Sequence, residues 1–350
     1  MAFTTIDDPS KHFQTHLWTG DGNDDRNITF DGNSDMQPDL FVFNRRPVAA
    51  SISWIDSTRG VTKELFPGAD DEETTVTNRF QAFQSDGFQA GTNNDINGTS
   101  NNTYISWAWK ANGGTTTTIS AGGDIGRETV SQVNTTAGFD ICTYTGSGSQ
   151  TSFGHSLGVA PDAIIIKNRD QDDSWFVWHN EIGNNQALVF DTNSAVITNN
   201  SYMGNEAPQS TWVGLGTGSN TNADGEKYVA YCWNEVKGFS KFGKYQGNNN
   251  ADGPFVFLGF RPEFLLIKKT DATANWISKT GKVSEHNVHP KITYWDISNA
   301  ENTAQDMDLL SNGFKHRSSE GDGNGSNTYA YFAWARTPMV TSKGTPGTAV

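Results

Sequence analysis

Three stretches decide how this chain reads: TYISWAWKA at 103–111, KYVAYCWNE at 227–235 and TYAYFAWAR at 328–336. Each alternates. In an extended strand successive side chains point to opposite faces. Ile105, Trp107 and Trp109 therefore share one face, as do Val229, Tyr231, Trp233 and Ala330, Phe332, Trp334. All nine are apolar, which predicts a core-facing surface anchored by Trp107, Trp109, Tyr231, Trp233, Phe332 and Trp334. The opposite face carries Tyr104, Ser106 and Ala108 in one copy and Tyr228, Ala230 and Cys232 in the next. It is not strongly polar, so the pattern predicts a central strand covered on both sides.

Working outward, other blocks recur in one order. PDLFVFNRR starts at Pro38, PDAIIIKNR at Pro161 and PEFLLIKKT at Pro262. An aromatic and a glycine turn precede each, at Trp18, Tyr144 and Tyr245, and a tryptophan follows each, at Trp54, Trp175 and Trp276. SDGFQAG, STWVGLG and SNGFKHR then begin at Ser85, Ser210 and Ser311. Pro161 and Pro262 lie 101 positions apart, as do Tyr228 and Tyr329, whereas Pro38 and Pro161 lie 123 apart. The surplus falls in NGGTTTTISAGGDIGRETVSQVNTT, which reads as a linker. The period is domain-sized and longer than solenoid repeats of roughly 20–50 residues. The division expected is a module at 1–111, a linker at 112–136, a module at 137–237, and a third at 238–350 with a C-terminal tail.

AIIIK and FLLIKK are short apolar runs, each opened by a proline whose missing N–H costs a ladder least at its start. GDGNDD, TGSGS, GNNNADG and EGDGNGSN are turn chemistry. Helical periodicity is almost absent. The fold expected is all-β: three tandem, similar antiparallel β-sandwich modules of jelly-roll type.

Lys and Arg number 25 against 39 Asp and Glu, a formal charge of −14, which argues against nucleic acid and anionic membranes as partners. Two cysteines make neither a disulfide scaffold nor a zinc framework. The start, MAFTTIDDPSKHF, lacks the basic and apolar regions of a secretory signal, and no apolar run approaches a membrane span. A soluble chain made in a cytoplasm is the expectation.

Candidate sites weigh against plainer readings. Cys142 and Cys232 read as free thiols, since Cys232 stands where the other copies have Ala108 and Ala333. Asp21, Asn23 and Asp25, like Asp322, Asn324 and Ser326, begin as calcium loops do, but lack the glycine and glutamate that complete one. The seven histidines form no HExxH. Asp39, Asp162 and Glu263 recur behind the strand-opening prolines and read as structural, although a carboxylate pair for glycoside cleavage needs only spatial proximity. Trp54, Trp175 and Trp276 are the candidates for stacking on a glycan; their apolar neighbours favour core anchors instead. No catalytic, cofactor or metal residue is expected.

The stretches GFDICTYTGSGSQTSFGHSLGVAPDAIIIKNR, KYVAYCWNEVKGFSKFGKYQ, FRPEFLLIKK and TYAYFAWARTPMV resemble a domain of unknown function common in marine tailed phages, including cyanophages. Proteins of that kind are usually labelled tail-fibre or virion structural proteins. The resemblance covers nearly the whole chain and implies a virion component without catalytic residues. The expectation is a non-enzymatic structural protein on the particle exterior, of tail-fibre, appendage or adhesin type, assembled in the host cytoplasm and present in multiple copies. Its expected partners are other virion proteins and a host-surface glycan or protein. The alternatives are a capsid decoration protein, a lectin-like glycan-binding module and a polysaccharide depolymerase. Without heptads or a shaft repeat, a compact knob or shell-decorating subunit fits better than a complete long fibre. Three modules in one chain would also mimic a trimer, although the unequal spacing counts against strict symmetry.

Overall fold

The structure, a computed structural model, describes residues 3–99, 102–284 and 286–347. It is all-β and antiparallel, in several sheets. The first repeat runs β1 (Phe13–Thr19), β2 (Arg26–Ile28), β3 (Leu40–Arg45), β4 (Ser53–Asp56), β5 (Lys63–Glu64), β6 (Thr74–Thr75), β7 (Phe80–Phe83), β8 (Phe88–Ala90), the one-turn helix α1 (Asn94–Asn97) and β9 (Thr103–Trp109). Next come β10 (Thr117–Ile119) and β11 (Thr129–Asn134). The second repeat has β12 (Phe139–Thr145), β13 (Thr151–Gly154), β14 (Ala163–Asn168), β15 (Phe176–His179), β16 (Gln186–Val189), β17 (Ile197–Thr198), β18 (Trp212–Leu215), α2 (Ser219–Asn222) and β19 (Lys227–Trp233). The third has β20 (Ser240–Gln246), β21 (Phe255–Phe257), β22 (Phe260–Lys269), β23 (Ile277–Thr280), β24 (His289–Tyr294), β25 (Asn302–Leu310), β26 (Gly313–His316), α3 (Gly321–Asn324) and β27 (Thr328–Pro338).

One pairing order recurs in all three. The closing strand lies between the first and third strands, and the third pairs with the fourth: β1-β9-β3-β4, β12-β19-β14-β15 and β20-β27-β22-β23. Register recurs too. Phe13, Phe139 and Ser240 lie opposite Trp109, Trp233 and Trp334, which face Leu40, Ala163 and Phe264 on their other side. A second pairing joins β2 to β8, β13 to β18 and β21 to β26. In the third repeat these join into one eight-stranded sheet, nearly closed into a barrel, whose end strands are β20 and β21.

Residues 112–136, expected to be a linker, are in part a piece of the second sheet. β11 pairs with β12 over six residues, and β10 pairs with β11. The stretch is rich in Thr and Gly, so it shows no apolar alternation; the edge of β12 is what makes it a strand.

The closing strands are central and covered on both faces, as their alternation predicts. Tyr104 and Ala108 face one outer cluster, Tyr228, Ala230 and Cys232 a second, and Tyr329, Tyr331 and Ala333 a third. Their other faces do not form three separate cores. Ile105, Trp107, Trp109, Val229, Tyr231, Trp233, Phe332 and Trp334 all belong to one cluster shared by the three repeats. Trp109, Trp233 and Trp334 meet at its centre, with ring centroids 6.2, 5.9 and 5.1 Å apart pairwise. An apolar face buries itself wherever other apolar surface is offered, and the neighbouring repeat offers it.

Contacts between repeats close in a cycle. Glu73 N donates to Arg169 O (3.0 Å), Val196 N to Thr270 O (2.9 Å) and Glu301 N to Arg46 O (2.9 Å), so first meets second, second meets third, and third meets first. The same cycle appears in side chains at the ends of β4, β15 and β23. Tyr231 Oη donates to Asp56 Oδ2 (2.6 Å), Trp107 Nε1 to Thr280 Oγ1 (2.9 Å), and Phe332 packs edge-on against His179 at 4.8 Å.

Candidate functional site

Each repeat ends its first strand in a polar loop, fixed by one recurring set of contacts. Trp18, Tyr144 and Tyr245 stack on Tyr104, Tyr228 and Tyr329 at 5.3, 5.2 and 5.1 Å. The three tyrosine hydroxyls clamp the one-turn helices. They accept from Gly98 N (2.8 Å), Ala223 N (2.7 Å) and Gly325 N (2.7 Å), and donate to Asn94 O (2.7 Å), Ser219 O (2.5 Å) and Gly321 O (2.6 Å). Asn97, Asn222 and Asn324, all fully buried, end those helices and accept from Asp21 N, Ser147 N and Asn248 N in the loops. The loop must pass so close that a Cβ on Gly20, Gly146 or Gly247 would come within 2.3, 2.0 or 2.1 Å of a carbonyl oxygen. The aromatic-x-glycine signature is thus a packing requirement, and Asn324 of the calcium-like stretch is spent on it. Among the described residues no group of three His, Cys, Asp or Glu side chains is placed to hold a metal.

The tryptophans considered for glycan stacking are not available for it. Trp54 is 2 % exposed, and Trp175 and Trp276 are fully buried. They sit in the shared core, where Trp175 Nε1 donates to Phe66 O (3.1 Å) and Trp276 Nε1 to Val189 O (2.9 Å), each reaching into the preceding repeat. A ring must show a face to stack on a sugar, and these show none. The void at the centre of the core, among Trp54, Trp109, Trp233 and Trp334, is about 10 Å³, too small for any ligand.

What the fold does bring together is a polar cavity of about 130 Å³ where the third repeat closes on the first. Phe13, Gln14 and Thr15 of β1, Asp31, Glu263 of β22, Lys282 and Arg336 line it. Thr15 Oγ1 donates to Glu263, whose Oε1 takes the bond while buried Oε2 has only Arg336, 3.8 Å away. Burial pushes the Glu263 carboxyl above its usual range, against Thr15 and nearby cations. Asp31 receives Lys282 and lies 3.2 Å from His16 Nδ1; burial raises its pKa, but these partners outweigh it and hold it low. Opposed charges around a small cavity suit the binding of a polar group or ordered water. Asp31 and Lys282 lie outside the repeated blocks, and Arg336 ends one where the other copies have Ala111 and Glu235, so no recurrence marks them. Glu263 was visible through its recurrence with Asp39 and Asp162. Asp39 is a turn anchor, accepting from Ser57 Oγ and from Ala111, Gly113 and Gly114 N–H groups. Asp162 accepts from Asn180 Nδ2 and Glu235 N.

Cys142 and Cys232 are free and buried on neighbouring strands, and burial, with each beside the other, pushes the Cys142 thiol well up. Such thiols are poor nucleophiles.

Residues 8–338 match the family described as Domain of unknown function (DUF7483). No curated protein and no solved structure matches the chain.

Proposed function

The chain belongs to the DUF7483 family, and from that premise we propose that it is a non-catalytic structural subunit of a tailed-phage particle. It sits on the exterior, assembles there from the host cytoplasm, and works by binding other virion proteins or the host surface. The three pairing patterns are read as three copies of one β-sandwich module fused into a self-closed block. The observation that carries the proposal is the cycle of contacts around the shared tryptophan core. It turns one chain into a three-lobed body whose recurring residues are spent on holding the lobes together. The resemblance of its blocks to tail-fibre and virion structural proteins supplies the phage assignment.

Capsid decoration is the second reading, favoured by the same cycle. A body that repeats its own contacts three times suits a seat of threefold symmetry. The lectin reading loses the support of Trp54, Trp175 and Trp276, which are buried. Mass spectrometry of particles purified from a host carrying this gene should find the chain at constant stoichiometry to the major capsid protein. Particles lacking it would overturn the proposal. Their mapping to head or tail decides between the two readings.

A further inference from the structure

Each repeat has a seam between its first strand and its second, and the chain fills two of the three. In the second repeat β11 fills it. β11 pairs with β12 along its length, while Arg127 N donates to Ser152 O (2.9 Å) and Thr129 Oγ1 accepts from Gly154 N (3.0 Å) across the other side. In the first repeat the loop after β2 lies along β1. Gln14 Oε1 accepts from Gly32 N (3.0 Å), and Gln14 Nε2 donates to Ser34 O (2.8 Å).

The third seam, between β20 and β21, has no strand or loop along it among the described residues; Phe3 meets only its end, beside Lys237 and Gly259. β20 pairs only with β27, and β21 only with β26. His316 N donates to Pro254 O (3.2 Å) and Leu258 N to Asn312 O (2.8 Å). In an antiparallel ladder the main-chain groups of alternate residues point to opposite sides, so those of Phe255 and Phe257 point away from β26. On β20, Ala335 N donates to Phe239 O (2.8 Å) and Gly247 N to Asn327 O (2.9 Å), which turns Phe242 and Lys244 toward the seam. The side chain of Lys241 bridges the edges, donating to Phe257 O (3.1 Å). Phe255 and Phe257 are 46 % and 49 % exposed. Native proteins blunt or cover such edges; this one carries two open phenylalanines, with Lys241 beside Phe257 and the half-exposed Lys244 further along β20, 3.0 Å from Glu181 of the second repeat.

We propose that this seam receives an extended strand of another polypeptide, with carboxylates placed to meet Lys241 and Lys244. The occupant is a strand because the corresponding place in the second repeat is taken by one. It is acidic because the two lysines stand where Asp140 and Thr143 face Val133 and Val130 of β11. This stands on the third repeat alone and holds whichever particle position the chain occupies.

The test uses the full chain and two fluorescent synthetic peptides. One has the sequence of residues 127–136, and the other carries Val130→Glu and Val133→Glu within it. By anisotropy the acidic peptide should bind saturably, one per chain, at least threefold tighter than the parent at low salt, with the difference shrinking in high salt. Phe257→Pro, which removes a seam-facing N–H without touching the β26 ladder, should weaken binding at least tenfold. Lys244→Glu should reverse the preference between peptides. No saturable binding at about millimolar peptide, binding indifferent to both substitutions, or equal binding of a scrambled peptide would overturn the proposal. So would a dimer of the chain in sedimentation that Phe257→Pro dissolves, because the occupant would then be a second copy.

Discussion

The recurring residues act through single groups in set places. The hydroxyl of Tyr329 joins two ends of α3, and its loss leaves the buried N–H of Gly325 without a partner. Tyr329→Phe should cost about 1–3 kcal/mol in urea unfolding. His179 shows how an equivalent place is filled by different chemistry. It stands where the other repeats have Asp56 and Thr280, its Nε2 is 3.1 Å from Tyr331 O, and its Nδ1 accepts from Glu181 N (3.1 Å). Those two bonds require the neutral ring, and burial holds its pKa down to about 4. Between about pH 6.5 and 4 the unfolded histidine takes up a proton that the folded one refuses. Stability therefore falls as pH drops through that window, by on the order of 3 kcal/mol from this group. Unfolding free energies measured from pH 7 to 4.5 should show the loss, and His179→Gln should reduce it.

At the scale of elements, β11 is the piece that ties neighbouring repeats. Gln132, fully buried, accepts from Gly114 N (2.8 Å) and donates to Ser57 Oγ (3.0 Å) and Thr58 Oγ1 (2.7 Å) in the first repeat. Gln132→Ala should cost about 1–3 kcal/mol by chemical denaturation, because it removes at once the bonds to the exposed Gly114 N–H and to the half-buried hydroxyls of Ser57 and Thr58. A loss within a few tenths of a kcal/mol would mean that β11 merely passes by. The strand was illegible in the sequence because TVSQVN offers little apolar alternation; its partners are supplied by chain on either side of it. β9, β19 and β27 were legible for the opposite reason. With sheet neighbours on both edges and apolar cover on both faces, they admit little but apolar residues, and the pattern survives in all three copies.

For the whole molecule, the shared core sets the cooperativity. Three modules on linkers would melt separately. Here Trp109, Trp233 and Trp334 touch one another, so no repeat unfolds without exposing the cores of the other two. Calorimetry should give one transition. Trp109→Ala, Trp233→Ala and Trp334→Ala should each lower that same transition, at a cost of about 3–5 kcal/mol. Three resolved transitions, or a substitution that shifts only one part of the melt, would contradict the shared core. The seam that closes the ring, third repeat to first, has no covalent link of its own. It relies on the paired bonds of Arg46 to Glu301 (2.8 and 3.1 Å), on Lys282 with Asp31, and on Thr15 with Glu263.

The sequence by itself determined that one unit is written three times, which strands are central, and which of their faces are apolar. Alternation and spacing are local properties, and an alternating strand keeps its two faces wherever it lies. Only the tertiary structure decided that the inner faces of all three copies meet in one core, which removed Trp54, Trp175 and Trp276 from any role in stacking. It also decided that two seams are filled while the third, among the described residues, has no strand or loop along it. Apolar burial has no preferred direction, so a pattern can say that a face will be covered but not by which part of the chain.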